Sequence, residues 1–266
     1  MLSLKGISVG YGGKTVVSDI AFDVSPGEFC ALLGLNGSGK TTLLKAVCGL
    51  LPMTSGQCLV DGADVALLKE HSRAKYISYL PQRLSTLRGV SVLDTVMMGF
   101  NASFGALEFP SAKDRDTALN TLEMAGIGHL AYQDFSKLSE GQKQMAALAR
   151  TLVQNTPVML MDEPDSALDF LNRHKLMGKF RSLIHGGRKA ALITLHDPNL
   201  ALNYCDRIVL ISGGKKVSDL FLHGAAPADI RTSISLIYGD ITLLEHGGNY
   251  TVVPSGEQKL SKSASF

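Results

Sequence analysis

No apolar stretch in the sequence is long enough to cross a membrane. Runs such as 29–33 and 158–161 fall far short of the roughly 18 residues that a span needs. The first residues, MLSLKGISVGYGGK, lack a basic segment followed by an apolar one, so no secretory signal is expected. Cysteine is scarce: Cys30, Cys48, Cys58 and Cys205 stand far apart and form no CxxC pair. Reduced, mostly buried thiols of a cytoplasmic protein are expected. Neither sign of charge dominates, since 26 Lys and Arg face 24 Asp and Glu for a net +2. That excludes an acidic tail or a strongly basic nucleic-acid binder. There is no internal repeat and no sustained heptad pattern. The chain is expected to be soluble by itself, with any membrane role reached through a partner.

What is present is a core-forming chain. Its 266 residues are 45% hydrophobic, which suggests about two structural units and ample apolar surface to bury. High apolar content with small net charge argues against disorder.

The first 35 residues read as short strands around turns at Tyr11-Gly12-Gly13 and Ser25-Pro26-Gly27. The run 29–33 suits a strand buried on both faces. A helix carrying Leu43, Leu44, Val47, Leu50 and Leu51 is predicted next, ended by Gly49 and Pro52. Residues 56–80 read as short strands and connections, and about 90–152 as helical. Leu119, Leu122, Glu123 and Gly126 are placed on one helix; Met145, Leu148, Ala149 and Leu152 form an apolar stripe on another, read as core. Strand signals return at 158–161, 190–194 and 208–211, alternating with helices, which argues a largely parallel sheet interrupted by a helical insert. A hairpin is predicted from 241–244 and 250–253 around Glu245-His246-Gly247-Gly248-Asn249. The polar tail 255–266 is expected to fray. Lys137, Lys143, Lys215 and Lys216 are read as solvated charges.

Residues Gly34-Leu35-Asn36-Gly37-Ser38-Gly39-Lys40-Thr41 fit G-x-x-x-x-G-K-[ST], between a buried strand and an amphipathic helix. Glycines let successive N–H groups turn onto an anion, and the helix N-terminus adds its own donors. Gly34, Asn36, Gly37, Ser38, Gly39, Lys40, Thr41 and Thr42 are the candidate nucleotide contacts. Lys40 can reach the β- and γ-phosphates of a nucleoside triphosphate, and Thr41 can ligate Mg²⁺. A second apolar run ends in Asp162-Glu163, at the carboxyl end of a strand, where such sheets bind ligands. Asp162 is placed to hold Mg²⁺ and Glu163 to polarise a water.

Leu138-Ser139-Glu140-Gly141-Gln142, Ser166-Ala167-Leu168-Asp169, Thr194-Leu195-His196-Asp197 and Tyr79-Leu80-Pro81-Gln82 complete the pattern. In this order and spacing the motifs resemble the ATP-binding subunits of ABC transporters, over about residues 1–220. The LSxGQ pentapeptide is the discriminating element. The resemblance implies an α/β P-loop NTPase with a RecA-like core, an antiparallel β subdomain and an inserted helical subdomain. It implies an ATPase domain over 1–222, its helical insert at about 88–155, and a C-terminal extension over 223–266. It implies ATP and Mg²⁺ as cofactors and a homodimer with ATP between two subunits. Ser139, Gly141 and Gln142 would then cap the γ-phosphate bound by the other subunit, and Asp169 would bridge the subunits. Glu163 would be the general base and His196 would hold the attacking water. Gln82 would touch Mg²⁺ or that water, and Tyr11 would stack on adenine. Two permease subunits and a substrate-binding protein are the implied partners. The implied location is peripheral, at the cytoplasmic face of a bacterial cell membrane, with membrane contact only through the permease and none with nucleic acid.

Three departures from that pattern stand out. Glu140 occupies the variable third position of the pentapeptide, Asp165 stands where Thr is usual, and the run Gln142-Lys143-Gln144-Met145 lacks the frequent Arg. No catalytic position is lost, so an active hydrolase is expected. The segment Leu236-Ile237-Tyr238-Gly239-Asp240 and the strands after it resemble the ends of ATPases from iron-siderophore, haem and cobalamin importers. Ferric siderophore is the expected cargo; other cargoes, export and a non-transport ABC ATPase are the alternatives.

Overall fold

A computed structural model of the chain describes residues 1–82, 84, 88–102, 104, 108–187 and 189–255. The expectation of a frayed tail therefore lies, from 256 onward, outside the described residues.

The first 35 residues build long antiparallel strands, β1 (Leu2–Tyr11) and β2 (Lys14–Val24), followed by β3 (Phe29–Leu33). With β4 (Ser55–Val60) and β5 (Ala63–Asp64), the first two form a sheet in the order β2-β1-β4-β5. β3 enters a second sheet with β6 (Ile77–Leu80), β7 (Val158–Asp162), β8 (Ala190–Leu195), β9 (Arg207–Ser212) and β10 (Lys215–Phe221). Its order is β10-β9-β3-β8-β7-β6, parallel except for the edge pair β9–β10.

Continuous apolar runs mark the central strands because both faces are covered. Phe29, Ala31 and Leu33 of β3 join one core with Met159, Met161, Ile193 and Phe180. Cys30 and Leu32, on the other face, join a second core with Leu160, Leu192, Leu44 and the apolar residues of the antiparallel sheet. The carboxyl ends of β3, β7 and β8 thus lie side by side, each fixed by packing on two faces.

Helix α1 (Lys40–Val47) follows β3. It stops sooner than its apolar spacing suggests. Gly49 takes a left-handed φ of 77° and Leu50, beyond it, is exposed. Within the segment read as strands and connections, a single helical turn, α2 (Glu70–Arg73), precedes β6. The helical region holds α3 (Val92–Met97), α4 (Ala112–Ala125) and α5 (Glu140–Val153) around a third core. Gly126 is not inside α4 but closes it, with a left-handed φ of 81°. On α5, Leu148 and Ala149 are buried while Met145 and Leu152 are half-buried. Lys143 departs from the solvated reading: it is buried, and its ammonium donates to Glu140 Oε1 at 2.7 Å. Helix α5 is wedged between the helical core and the main sheet, so its polar residues Lys143, Gln144 and Thr151 are covered.

Helices α6 (Phe170–His185) and α7 (Pro198–Tyr204) cover the sheet, and α8 (Pro227–Tyr238) precedes the hairpin β11 (Ile241–His246) and β12 (Asn249–Pro254). The hairpin turns through Gly247 and Gly248, both at positive φ, which matches the twist of the flanking strands.

Candidate active site

The loop 34–39 leaves β3 and delivers the chain to α1. A Cβ on Gly34 would run into Ser38 Oγ and the Ile211 carbonyl, so only glycine fits that turn. Gly39, at φ 102°, is the N-cap of α1 and brings no capping side chain. Helices α3, α4, α5, α6 and α7 all have side-chain caps, from Ser91, Ser111, Ser139, Asp169 and Asp197. The N-terminus of α1, like those of α2 and α8, has no side-chain cap, and its unclaimed first-turn donors suit an anion. Ser38 Oγ is buried and without a hydrogen-bond partner among the described residues. An orphaned hydroxyl beside uncapped N–H groups fits a phosphate cradle. Lys40 is buried, donating to the carbonyls of Gly34 at 2.8 Å and Leu35 at 3.3 Å. Burial pulls its pKa down, against Glu163 and Asp162, which push it up.

Asp162, at the end of β7, is almost fully buried and completely engaged. Thr41 Oγ1 donates to its Oδ1 at 3.0 Å, Thr194 Oγ1 donates to the same oxygen at 2.8 Å, and Tyr79 OH donates to Oδ2 at 3.3 Å. A hydroxyl and a carboxylate together are the hard oxygen donors that Mg²⁺ takes alongside phosphate oxygens. Among the described residues no group of three His, Cys, Asp or Glu stands ready to hold a metal by itself. By donor type, the Thr41–Asp162 pair fits an ion that shares its shell with a nucleotide.

Glu163 turns sharply away at φ 48°, a left-handed conformation that costs a non-glycine residue roughly 1 kcal/mol or more. Its N–H donates to Thr194 Oγ1 at 2.9 Å, so one hydroxyl ties the two acids to β8. The turn aims the carboxylate of Glu163 at two other side chains. His196 Nε2 lies 2.5 Å from Oε1, and Gln82 Nε2 donates to Oε2. The structure thus gathers Lys40, Thr41, Asp162, Glu163, His196 and Gln82. Thr194 and Tyr79 belong to the same cluster although sequence reasoning gave them no role. Both sit inside the quoted motifs, and a hydroxyl in a strand beside the acid-bearing strand was the available signal. Thr42 follows in the first turn of α1, Asn36 and Gly37 are exposed on the loop, and Tyr11 is half-exposed at the end of β1.

Ser139, Gly141, Gln142 and Asp169 lie elsewhere. They line a cavity of about 810 Å³ between α5 and α6, whose walls include none of residues 34–42. Ser139 Oγ accepts the Gln142 N–H at 3.3 Å, and Gln142 Oε1 accepts the Ser139 N–H at 2.9 Å. A Cβ on Gly141 would press on Leu168 Cδ2 at 3.2 Å, so glycine lets the loop after Glu163 approach α5 closely. Asp165, in that loop, is buried with Arg173 Nε 4.0 Å away, and burial raises its pKa.

Fold and site together define a P-loop ATPase. The sequence profile of the ABC transporter family matches residues 17–166, more than half of the chain. A Helicobacter pylori protein named "Probable iron chelatin transport ATP-binding protein" is 34% identical over 240 residues, covering 90% of this chain and 92% of its own. A hemin import ATP-binding protein of Pseudomonas entomophila is 38% identical over 222 residues, covering 81% and 84%. A bacterial ABC transporter cassette solved as a dimer superposes with a TM-score of 0.76 at 27% identity, covering 84% of this chain and 99% of the cassette. The chain belongs to the ABC transporter family, as an ATPase.

Proposed function

We propose that this chain is the ATP-hydrolysing subunit of an importer of metal chelates, with a ferric siderophore as cargo. The observation that carries the chemistry is the Glu163 carboxylate held between His196 and Gln82, next to the Asp162–Thr41 pair. Relatives whose names specify iron chelatin or hemin, both iron chelates, support the importer class. No helix among the described residues is long and apolar enough to cross a membrane, so the pore must come from permease partners, with this chain peripheral on the cytoplasmic face. The chain divides into an ATPase domain over 1–222, with a helical insert at about 88–155, and an extension from 223.

The residues divide the work. The loop 34–42 grips the phosphates, Lys40 supplies a positive charge, and Tyr11 offers a ring to adenine. Mg²⁺ held by Thr41 and Asp162, with Gln82 within reach, would offset the charge on the β- and γ-phosphate oxygens. Glu163 accepts the proton of the attacking water, and His196 keeps that water and the carboxylate in line. Positioning and charge stabilisation suffice, because phosphoryl transfer needs no covalent bond to the protein. Ser139, Gly141 and Gln142 complete the site of a second subunit, and Asp169 bridges the pair. ATP thereby closes a homodimer that pulls on two permease subunits docked near Gln82 and the helical insert. A substrate-binding protein delivers the chelate.

The test is purification of the chain from membranes with its partners identified by mass spectrometry, joined to uptake assays. Two permease chains should copurify, and replacing Glu163 by Gln in cells should abolish ferric-siderophore uptake. Loss of hemin uptake in its place would overturn the cargo, and partners without membrane spans would overturn transport.

A further inference from the structure

The C-terminal unit grips the segment that carries His196 at two places. Tyr238, the last residue of α8, donates its hydroxyl to the His196 carbonyl at 2.9 Å. Directly after His196, Asp197 caps α7 by accepting the Asn199 N–H at 2.8 Å. Along α7, Asn199 and Asn203 stand one turn apart and treat β12 as a strand edge. Asn199 Oδ1 accepts the Val252 N–H at 2.6 Å; Asn203 Oδ1 accepts the Tyr250 N–H at 2.9 Å and its Nδ2 donates to the Tyr250 carbonyl at 2.8 Å. Residues 250 and 252 alternate along the strand, so both present the same edge. The hairpin pairs with no other strand among the described residues, and a lone two-stranded ribbon is marginal in water. The asparagines dock it onto the helix that follows the histidine.

The geometry matters because the imidazole of His196 is poorly confined. Its side chain is 44% exposed, and its contact with Glu163 Oε1 is made from the open end of β8. With so little packing around the ring, the placement of its peptide sets where the ring can meet Glu163. Burial and the nearby Asp197 push the Tyr238 phenol up to about 12, which leaves it a hydrogen-bond donor at neutral pH.

We infer that Tyr238 is a positioning residue for ATP hydrolysis: its hydroxyl fixes the His196 peptide, and through it the imidazole against Glu163. The inference rests on the roles proposed above for Glu163 and His196. It ties the extension to the catalytic centre of its own chain.

Replacing Tyr238 by Phe in the full chain removes one hydroxyl. The expected result is a kcat lowered about threefold to tenfold, the size of one lost hydrogen bond, with KM for ATP unchanged. The imidazole NMR signals of His196, identified by their loss in His196→Ala, should shift while those of the other histidines stay put. Unmoved His196 signals, or an equal loosening of all histidine signals together with KM, would overturn the inference. If the Phe variant does not fold, Asn203→Ala decides: it removes both hairpin bonds at Tyr250 but keeps the Tyr238 bond, so His196 signals should hold, and their shift would overturn it. A wild-type chain without turnover would instead refute the functional reading, and the NMR comparison would still judge Tyr238.

Discussion

Two helix N-termini in this chain carry a serine and a glycine close to their first turn, yet they are finished differently. At α1, no side chain caps the helix, Ser38 Oγ has no partner among the described residues, and Lys40 and Thr41 project beside Asp162. At α5, Ser139 and Gln142 close a reciprocal capping box, and the loop faces a cavity shared with Asp169. The first fits the phosphate site proposed above, with donors drawn from one chain. The second is already satisfied as a helix end, because Ser139 Oγ spends an acceptor lone pair on Gln142 and keeps its O–H proton to donate. Such a group suits a ligand brought by another molecule. The contrast is the physical basis for assigning hydrolysis to one end and completion of a partner's site to the other.

The sharpest way to break that contrast is at the first site. Glu163→Gln preserves the size of the side chain but removes the proton acceptor. Turnover should fall by roughly 10²–10⁴, the range for a positioned general base, while ATP affinity holds and dimers accumulate. Coupled-enzyme assays with nucleotide-binding titrations and light scattering check it; undiminished turnover would strip Glu163 of its role.

The two ends also differed in how readable they were. The loop 34–41 is local: its glycines, lysine and threonine are consecutive, and the strand before it and helix after it carry their own periodicities. The acids 162–163 gained meaning beside that loop. The links between such segments were not readable. That Thr194 bonds both Asp162 and the Glu163 peptide depends on β7 and β8 being neighbours in register, with Asp162 opposite Thr194, a pairing that spans 32 residues of sequence. Tyr79 reaches Asp162 only because β6 flanks β7. The hairpin showed itself through Gly247-Gly248, but its attachment to Asn199 and Asn203 joins residues about 50 apart and leaves no periodic trace. Lys143 misled for the opposite reason: a charge on a helix is usually solvated, and nothing local told that α5 is packed on two sides.

At the second site the expected effect is smaller. Ser139→Ala should leave ATP binding by the isolated monomer intact and lower turnover about tenfold, through one lost charge-assisted hydrogen bond across the dimer. It should also cost about 1 kcal/mol of stability, because the α5 cap is lost. Binding measured on dilute monomer against turnover at high concentration separates these effects. An equal loss in monomer binding would mean that the α5 end serves its own chain's nucleotide.

Asp165 lies between the two ends, in the loop that Gly141 allows to approach α5. Burial raises its pKa, and Arg173 at 4.0 Å offsets this only in part. A carboxyl raised in the folded state binds its proton more tightly there than in the unfolded chain. Its contribution is therefore favourable below the unfolded pKa and is lost as pH rises through the folded pKa, leaving a small penalty at neutral pH. Asp165→Asn keeps the shape and removes the charge. It should raise Tm at pH 7 by a few degrees, no more than about 5 °C, and leave Tm unchanged near pH 3. Thermal melts across that range check it. A variant less stable at pH 7 would show that the ion pair with Arg173 outweighs desolvation, and that this departure from the family pattern stabilises the loop between Glu163 and α6.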